Sequence, residues 1–264
     1  MTNEIEKGVI VLKKPDAIIC DIEGTTTSIR FWEECLGPIV WLNTRECLKN
    51  DWDLPETKEV FIMLRKQMVK HAKALKGVYE LPSRTSPSEV WIIQIFKYFK
   101  HCVDNQQFSE DIVSLQVLVA FYCYKNRICQ GHIYEDAKNA IKRWKENGIN
   151  IGVFSSGISV VQQMLFCYSN FGNLHPYINE FFSSTIDGDK TNPASFNRIC
   201  HRFGLLPNAI IYVSDNPKEC SAANDAGLLP VLMIRSHNAE LLNQINKIPY
   251  KYIQNFDQLR FVTM

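Results

Sequence analysis

The stretch Ala17-Ile18-Ile19-Cys20-Asp21-Ile22-Glu23-Gly24-Thr25-Thr26-Thr27 constrains the fold more than any other. Its first four residues are apolar, two of them β-branched, and turn residues follow, which predicts a short buried strand. Asp21 ends the run, and Glu23 stands two residues on, before a glycine and three hydroxyl residues. A strand apolar on both faces belongs to a parallel sheet. In open α/β sheets the chemistry gathers at the carboxyl ends of the strands. Asp21 is thereby expected at such an end, with Glu23 in the turn beyond it. One carboxylate of such a pair can be a nucleophile and the other a proton-transfer group.

The rest of the chain has two textures. From about 31 to about 128 apolar residues recur at helical spacing: Val60, Phe61, Leu64 and Met68 share a face, and Val90–Phe99 and Ile112–Tyr124 follow the same period. Pro82 to Pro87 is a break between two of these helices, and no strand is expected in the stretch. From about 132 strand and helix alternate. Asp136–Asn147 predicts a helix stopped by Gly148, Ile149–Phe154 a strand, and Asn192-Pro193 a helix start. Ala209–Val213 predicts a further strand ending at Ser214-Asp215, Pro217 and Gly227 bracket its helix, and Leu229–Ile234 is the next strand. The fold class expected is α/β: a Rossmann-like parallel sheet core over 1–30 and 130–264, with an inserted helical cap, or lid, over 31–129. The sheet is expected to start with the strand at 17–20.

Composition narrows the function classes. The chain has 264 residues and a formal net charge of +1, which gives no reason to expect a nucleic-acid or membrane partner. No run approaches the ~18 apolar residues of a membrane span. Met1 to Lys7 carries acids and no apolar core, unlike a signal peptide. Nine cysteines without a C-x-x-C pair fit reduced, buried thiols. Cytoplasmic residence is the expectation, with nuclear presence left open, and a monomer is the default. The six histidines show no zinc spacing.

Four segments at strand ends or helix starts carry the polar residues: Asp21 and Glu23, Ser155 and Ser156, Lys190, and Asp215 with Glu219. A carboxylate nucleophile beside a second carboxylate needs a cation, and oxygen donors suit Mg²⁺. Hydroxyls and N–H groups at a helix start suit phosphate, and a lysine adds a point charge.

In this order the segments resemble the four motifs of the haloacid dehalogenase superfamily of phosphatases. Glu23, where most members carry Asp, and the run Asp-Ile-Glu-Gly-Thr-Thr-Thr are similar to one branch, the enolase-phosphatase E1 (acireductone synthase) family of methionine salvage. Val153 to Gly157, Gln163 to Phe166 and Ser221 to Ala223 also resemble that family, so the likeness covers about 17–35 and 130–260. The resemblance implies that Asp21 attacks phosphorus to give an aspartyl-phosphate, and that Glu23 protonates the leaving alcohol and later activates water. It implies one Mg²⁺ held by Asp21, Asp215 and the Glu23 carbonyl, phosphate contacts from Ser155, Ser156 and Lys190, and Glu219 orienting metal-bound water. The substrate implied is 2,3-diketo-5-methylthiopentyl-1-phosphate, enolised and then dephosphorylated to the acireductone.

The inserted stretch departs from that family. Leu115-Gln116 is followed by Val117, Ala120-Phe121 stands where Gly-Tyr is expected, and Glu110 to Val113 replaces the usual basic residues. Two other readings therefore stay open: a phosphatase for another small phosphate ester, and a catalytically idle binding protein. His132 could approach the site but reads rather as a polar surface or core histidine; Arg235 and His237 follow a strand end and could lie near the site, but read rather as loop residues at solvent. Trp91, Phe96, Tyr98, Phe99 and Phe121 read mostly as packing.

Overall fold

The structure, a computed structural model, describes residues 8–262, so the segment Met1 to Lys7 read above lies outside the described residues. The described residues divide into two compact units, one of residues 8–31 and 130–262 and one of residues 32–129.

The first unit is built on a six-stranded parallel sheet with strand order β4-β3-β2-β5-β6-β7. In chain order these are β2 (Ala17–Cys20), β3 (Asn150–Ser155), β4 (Glu180–Ser183), β5 (Ile210–Ser214), β6 (Leu229–Met233) and β7 (Lys251–Ile253). Ala17 faces Asn150 on one side and Ile210 on the other, and Cys20 faces Val153 and Val213. The strand that ends in Asp21 therefore lies inside the sheet, and β3 and β5 deliver Ser155 and Ser214-Asp215 to the same edge. All four residues of β2 are buried, as an internal parallel strand requires.

Side chains alternate between two apolar layers. Ile18, Cys20, Ile151, Val153, Ile211 and Val213 point to one layer. It is covered by Ala137, Ala140, Ile141 and Trp144 of α5 (Glu135–Glu146) and by Leu165 and Phe166 of α6 (Ser159–Cys167). Ala17, Ile19, Phe154, Ile210 and Tyr212 point to the other. There α8 (Pro193–Phe203), which follows the single turn α7 (Ser184–Asp187), supplies Phe196 and Ile199, and α9 (Pro217–Asp225) supplies Ala222 and Ala223. Each fully buried Ile or Phe here contributes roughly 1.5–3 kcal/mol of transfer free energy. Asn192 and Asn216 cap α8 and α9, each accepting from a backbone N–H two residues on, with proline at the first helical position. Both helix starts were expected, the first from Asn192-Pro193 and the second from Pro217.

The sequence reading missed strands at both ends of the chain. Here β1 (Ile10–Lys13) precedes β2 and pairs in parallel with β8 (Leu259–Val262) as a separate two-stranded sheet, with Ile10 opposite Leu259. Each of these strands has only four residues and is partly exposed, and the partners lie almost the whole chain apart, so no local pattern marks them.

The second unit is helical: α1 (Gly37–Asn50), α2 (Pro55–His71), α3 (Ser88–Asp104) and α4 (Glu110–Lys125). Val60, Leu64 and Met68 of α2 are buried at helical spacing. Trp91, Ile95, Tyr98, Phe99 and Cys102 of α3 and Ile112, Leu115, Val119 and Cys123 of α4 fill the same interior. Aromatic edges meet there, as in Phe61 against Trp91 at 5.0 Å. Phe121 departs from the expected packing role, being 44% exposed on the outer side of α4. No helix among the described residues is long and apolar enough to cross a membrane. All nine cysteines are unpaired; Cys35 is exposed, Cys167 half-buried and the others buried.

Candidate active site

The three threonines after Gly24 are explained by the backbone they hold. Beyond β2 the chain curls so that the amides of Thr25, Thr26 and Thr27 all reach the Ile22 carbonyl, at 3.3, 2.9 and 2.9 Å. The Thr26 hydroxyl lies 3.1 Å from the Asp21 carbonyl and 3.2 Å from that of Ile22. Thr25 donates to Asp21 Oδ2 at 3.2 Å and accepts from the Asp215 amide at 3.0 Å, which ties the first acidic loop to the last. Each buried hydroxyl thus has a partner, as desolvation demands.

Gly24 closes the curl at φ +79°, and a Cβ there would come within 2.2 Å of Asp215 Oδ2 and 2.9 Å of His237 Nε2. Left-handed backbone costs a non-glycine residue roughly 1–2 kcal/mol. Gly24→Ala is therefore expected to lose about that much in a urea melt, and to lose more than tenfold in activity because Asp215 must swing aside. Wild-type turnover in that variant would contradict the close packing.

Asp21, Glu23, Ser156, Lys190, Asp215 and Glu219 line one pocket at this edge of the sheet, with Ile29, Asn216, Pro217, Asn238, Glu240 and Leu241. Lys190 Nζ donates to Asp21 Oδ1 and lies 2.8 Å from Glu219 Oε2. The lysine is 7% exposed, although Asp187-Gly188-Asp189-Lys190 reads by itself as a solvated loop. Ser155 is the one expected phosphate contact not on the pocket wall: it is buried, and its hydroxyl accepts from the Gly157 amide at 3.2 Å. Ser156 beside it is exposed and lines the pocket.

Negative charge exceeds positive charge here. Burial lifts the Asp21 carboxyl to about 7, Lys190 opposes the shift, and Glu219 and Asp215 add to it. Asp215 is also lifted by burial, with His237 opposing. Burial disfavours the Lys190 ammonium, but Asp21 and Glu219 outweigh that and hold it charged. The oxygens that could hold a cation are the Asp21 and Asp215 carboxylates and the Glu23 carbonyl. Among the described residues no three His, Cys, Asp or Glu side chains are gathered to hold a metal by themselves. A donor set of two carboxylates and a carbonyl, completed by water and phosphate, is one that Mg²⁺ accepts.

Arg235 and His237, read as loop residues at solvent or near the site, both contact residues of its loops, and His237 is exposed as expected. Arg235 is largely buried; it pairs with Asp136 at 3.0 Å, donates to the Thr25 carbonyl at 2.9 Å and stacks on Tyr134 at 4.2 Å. His237 Nε2 lies 2.6 Å from Asp215 Oδ2. Both follow β6, and the parallel register turns that strand end toward the acids. His132 also does more than fill space, since its Nδ1 lies 2.8 Å from the Thr27 hydroxyl and accepts from the Ser28 amide at 3.2 Å. No periodicity could have found these contacts; only the sheet order creates them.

Comparison with known proteins bears directly on this arrangement. The sequence profile of the haloacid dehalogenase-like hydrolases matches residues 15–227. The chain is 35% identical over 246 residues to enolase-phosphatase E1 of Anopheles gambiae, spanning 93% of this chain and 82% of that protein. It is 31% identical to enolase-phosphatase E1 of Sulfurihydrogenibium sp., over 92% of this chain and 96% of that one. This chain belongs to the enolase-phosphatase E1 family of haloacid dehalogenase-like hydrolases. A crystal structure of the UTR4 protein (unknown transcript 4 protein) of Saccharomyces cerevisiae has the same fold, with a TM-score of 0.71 at 23% identity, covering 92% of this chain and 99% of that one. An alignment over 93% of the chain must include most of 32–129, so the likeness to enolase-phosphatase E1 extends through the inserted stretch that its motifs had set apart.

Proposed function

We propose that this chain performs the enolase and phosphatase steps that its relatives' name gives, and that its substrate is 2,3-diketo-5-methylthiopentyl-1-phosphate, enolised and then dephosphorylated to leave the acireductone. The observation that carries the proposal is that Asp21, Glu23, Ser156, Lys190 and Asp215 line one pocket at the carboxyl edge of a parallel sheet. Asp21 attacks phosphorus, and the bond from phosphorus to the substrate oxygen breaks. Glu23 gives that oxygen a proton. Glu23, now a carboxylate, takes a proton from the water that hydrolyses the aspartyl-phosphate and releases inorganic phosphate. Lys190 offsets charge on Asp21 and on the phosphoryl oxygens, and Ser156 donates to them. Phosphoryl transfer mostly needs such positioning and neutralisation.

The acid-rich pocket fits Mg²⁺ held by Asp21, Asp215 and the Glu23 carbonyl. When bound, the cation would neutralise charge that the acids and the phosphate bring together. The helical unit 32–129 is read as the lid that selects the substrate. A different small phosphate ester is the alternative, favoured by Val117, Ala120 and Phe121 in that unit.

Purified protein with Mg²⁺ is expected to release phosphate from the diketo-phosphate faster than from a panel of sugar and other phosphomonoesters. Excess chelator should stop release, and added Mg²⁺ should restore it. Full activity in chelator would remove the metal from the mechanism, and faster turnover of a panel member would replace the substrate. No turnover of any ester by folded, Mg²⁺-loaded protein would favour an idle binding protein.

A further inference from the structure

Tyr212 sits in the middle of β5, with no exposed surface and its ring against Phe196 at 4.8 Å. Phenylalanine would serve that apolar layer equally well, because a buried hydroxyl is unfavourable unless it is bonded. The Tyr212 hydroxyl donates to Glu219 Oε2 at 2.7 Å. The same oxygen accepts from Ser214 Oγ at 2.8 Å and lies 2.8 Å from Lys190 Nζ. Asn216 donates to the other oxygen at 3.3 Å. Glu219 Oε2 is thus held from three directions, and only one donor, Lys190, also reaches Asp21. Burial and the nearby Glu219 and Asp21 carboxylates keep the phenol protonated, so it remains a donor.

A lysine head on a four-carbon stem does not hold one position by itself. We propose that Tyr212 is a positioning residue: its hydroxyl fixes Glu219 against Lys190, so that the ammonium stays on Asp21, and Glu219 serves as the anchor of Lys190. This assigns Glu219 a different task from orienting metal-bound water. The catalytic consequence rests on the phosphatase reading above; the anchoring does not.

Tyr212→Phe removes one oxygen and keeps the ring. With a donor to the charged Glu219 oxygen gone, kcat is expected to fall roughly tenfold or more, with KM little changed. The double variant Tyr212→Phe/Glu219→Gln should be no slower than Glu219→Gln alone, because the tyrosine acts through the glutamate. A residue that mattered only for packing would multiply the two losses. Protein carrying ¹³Cζ-labelled tyrosine gives a second readout: the Tyr212 resonance should move in Glu219→Gln and in Lys190→Met. If Tyr212→Phe does not fold, Ser214→Ala, which removes another donor from the same oxygen, takes its place in the cycle. An unchanged kcat, multiplied losses, or a Tyr212 resonance indifferent to Glu219 would overturn the proposal. If the wild-type protein hydrolyses no phosphate ester, the phosphatase reading falls, and the resonance still decides the anchoring.

Discussion

Asp21→Asn is expected to lose phosphate release by a factor on the order of 10⁴–10⁶, the range seen when a covalent nucleophile is removed. An amide neither attacks phosphorus nor offers a cation an anionic oxygen. The fold should survive, because the substitution is nearly isosteric: the Asn carbonyl oxygen can accept from Lys190, and its NH2 can donate to the Thr25 hydroxyl, the two groups that stand at different oxygens of Asp21. It also relieves repulsion, since Glu219 and Asp215 both disfavour a charge on Asp21. Thermal melting near the wild-type temperature with turnover abolished is the expected pair of results. Retention of even a tenth of wild-type turnover would mean that Asp21 is not the nucleophile.

Lys190→Met should damage both stability and activity. Lys190 is the shared partner of two buried acids, Asp21 and Glu219. Removing one side of a buried ion pair typically costs about 3–5 kcal/mol, because the remaining charge is left without compensation. A loss of that size is expected in urea denaturation. Turnover should fall by roughly 10²–10³, the effect of deleting one group that stabilises transition-state charge. The interaction also predicts non-additivity: Lys190→Met should destabilise less in an Asp21→Asn background, where one of the stranded acids is gone. Equal losses in both backgrounds would mean that the pairing with Asp21 carries no energy.

The parts of the fold legible in the sequence are those encoded by neighbours along the chain. Ala17 to Cys20 announced an internal strand by being apolar on both faces, and Asn192-Pro193 and Pro217 announced helix starts that the side-chain caps explain. Asp21 and Glu23 needed only their place after that strand. Lys190 was different. Its loop looks solvated, and only the order of motifs in related proteins put it with the acids; its burial comes from tertiary convergence. Arg235 is more buried than a loop at solvent, for the same reason, whereas His237 is exposed as expected and still meets Asp215; their place after a strand end was the one local sign of the site. Tyr212 carried no signal at all. In a strand of Ile, Val and Tyr an aromatic residue reads as packing, and only the 2.7 Å contact to Glu219 distinguishes its hydroxyl. Ser155 is buried, and its hydroxyl accepts from the Gly157 amide of its own turn, a bond that uses a lone pair and not its O–H.

The strand order has a consequence for how the chain acquires its structure. The central strand β2 finds its two neighbours only at Asn150–Ser155 and Ile210–Ser214, far along the sequence. Such non-local pairing is slow, because chain closure must precede any gain in contacts. Helices α1–α4 pack against one another within residues 32–129 and need no such closure. During synthesis that unit can condense while β2 still has no strand to pair with. The apolar run from Ala17 to Cys20 then waits as an open edge, the kind of segment that invites association with other chains. Folding yield should therefore depend on how quickly the second half of the chain arrives, and the residues that carry the chemistry come together last.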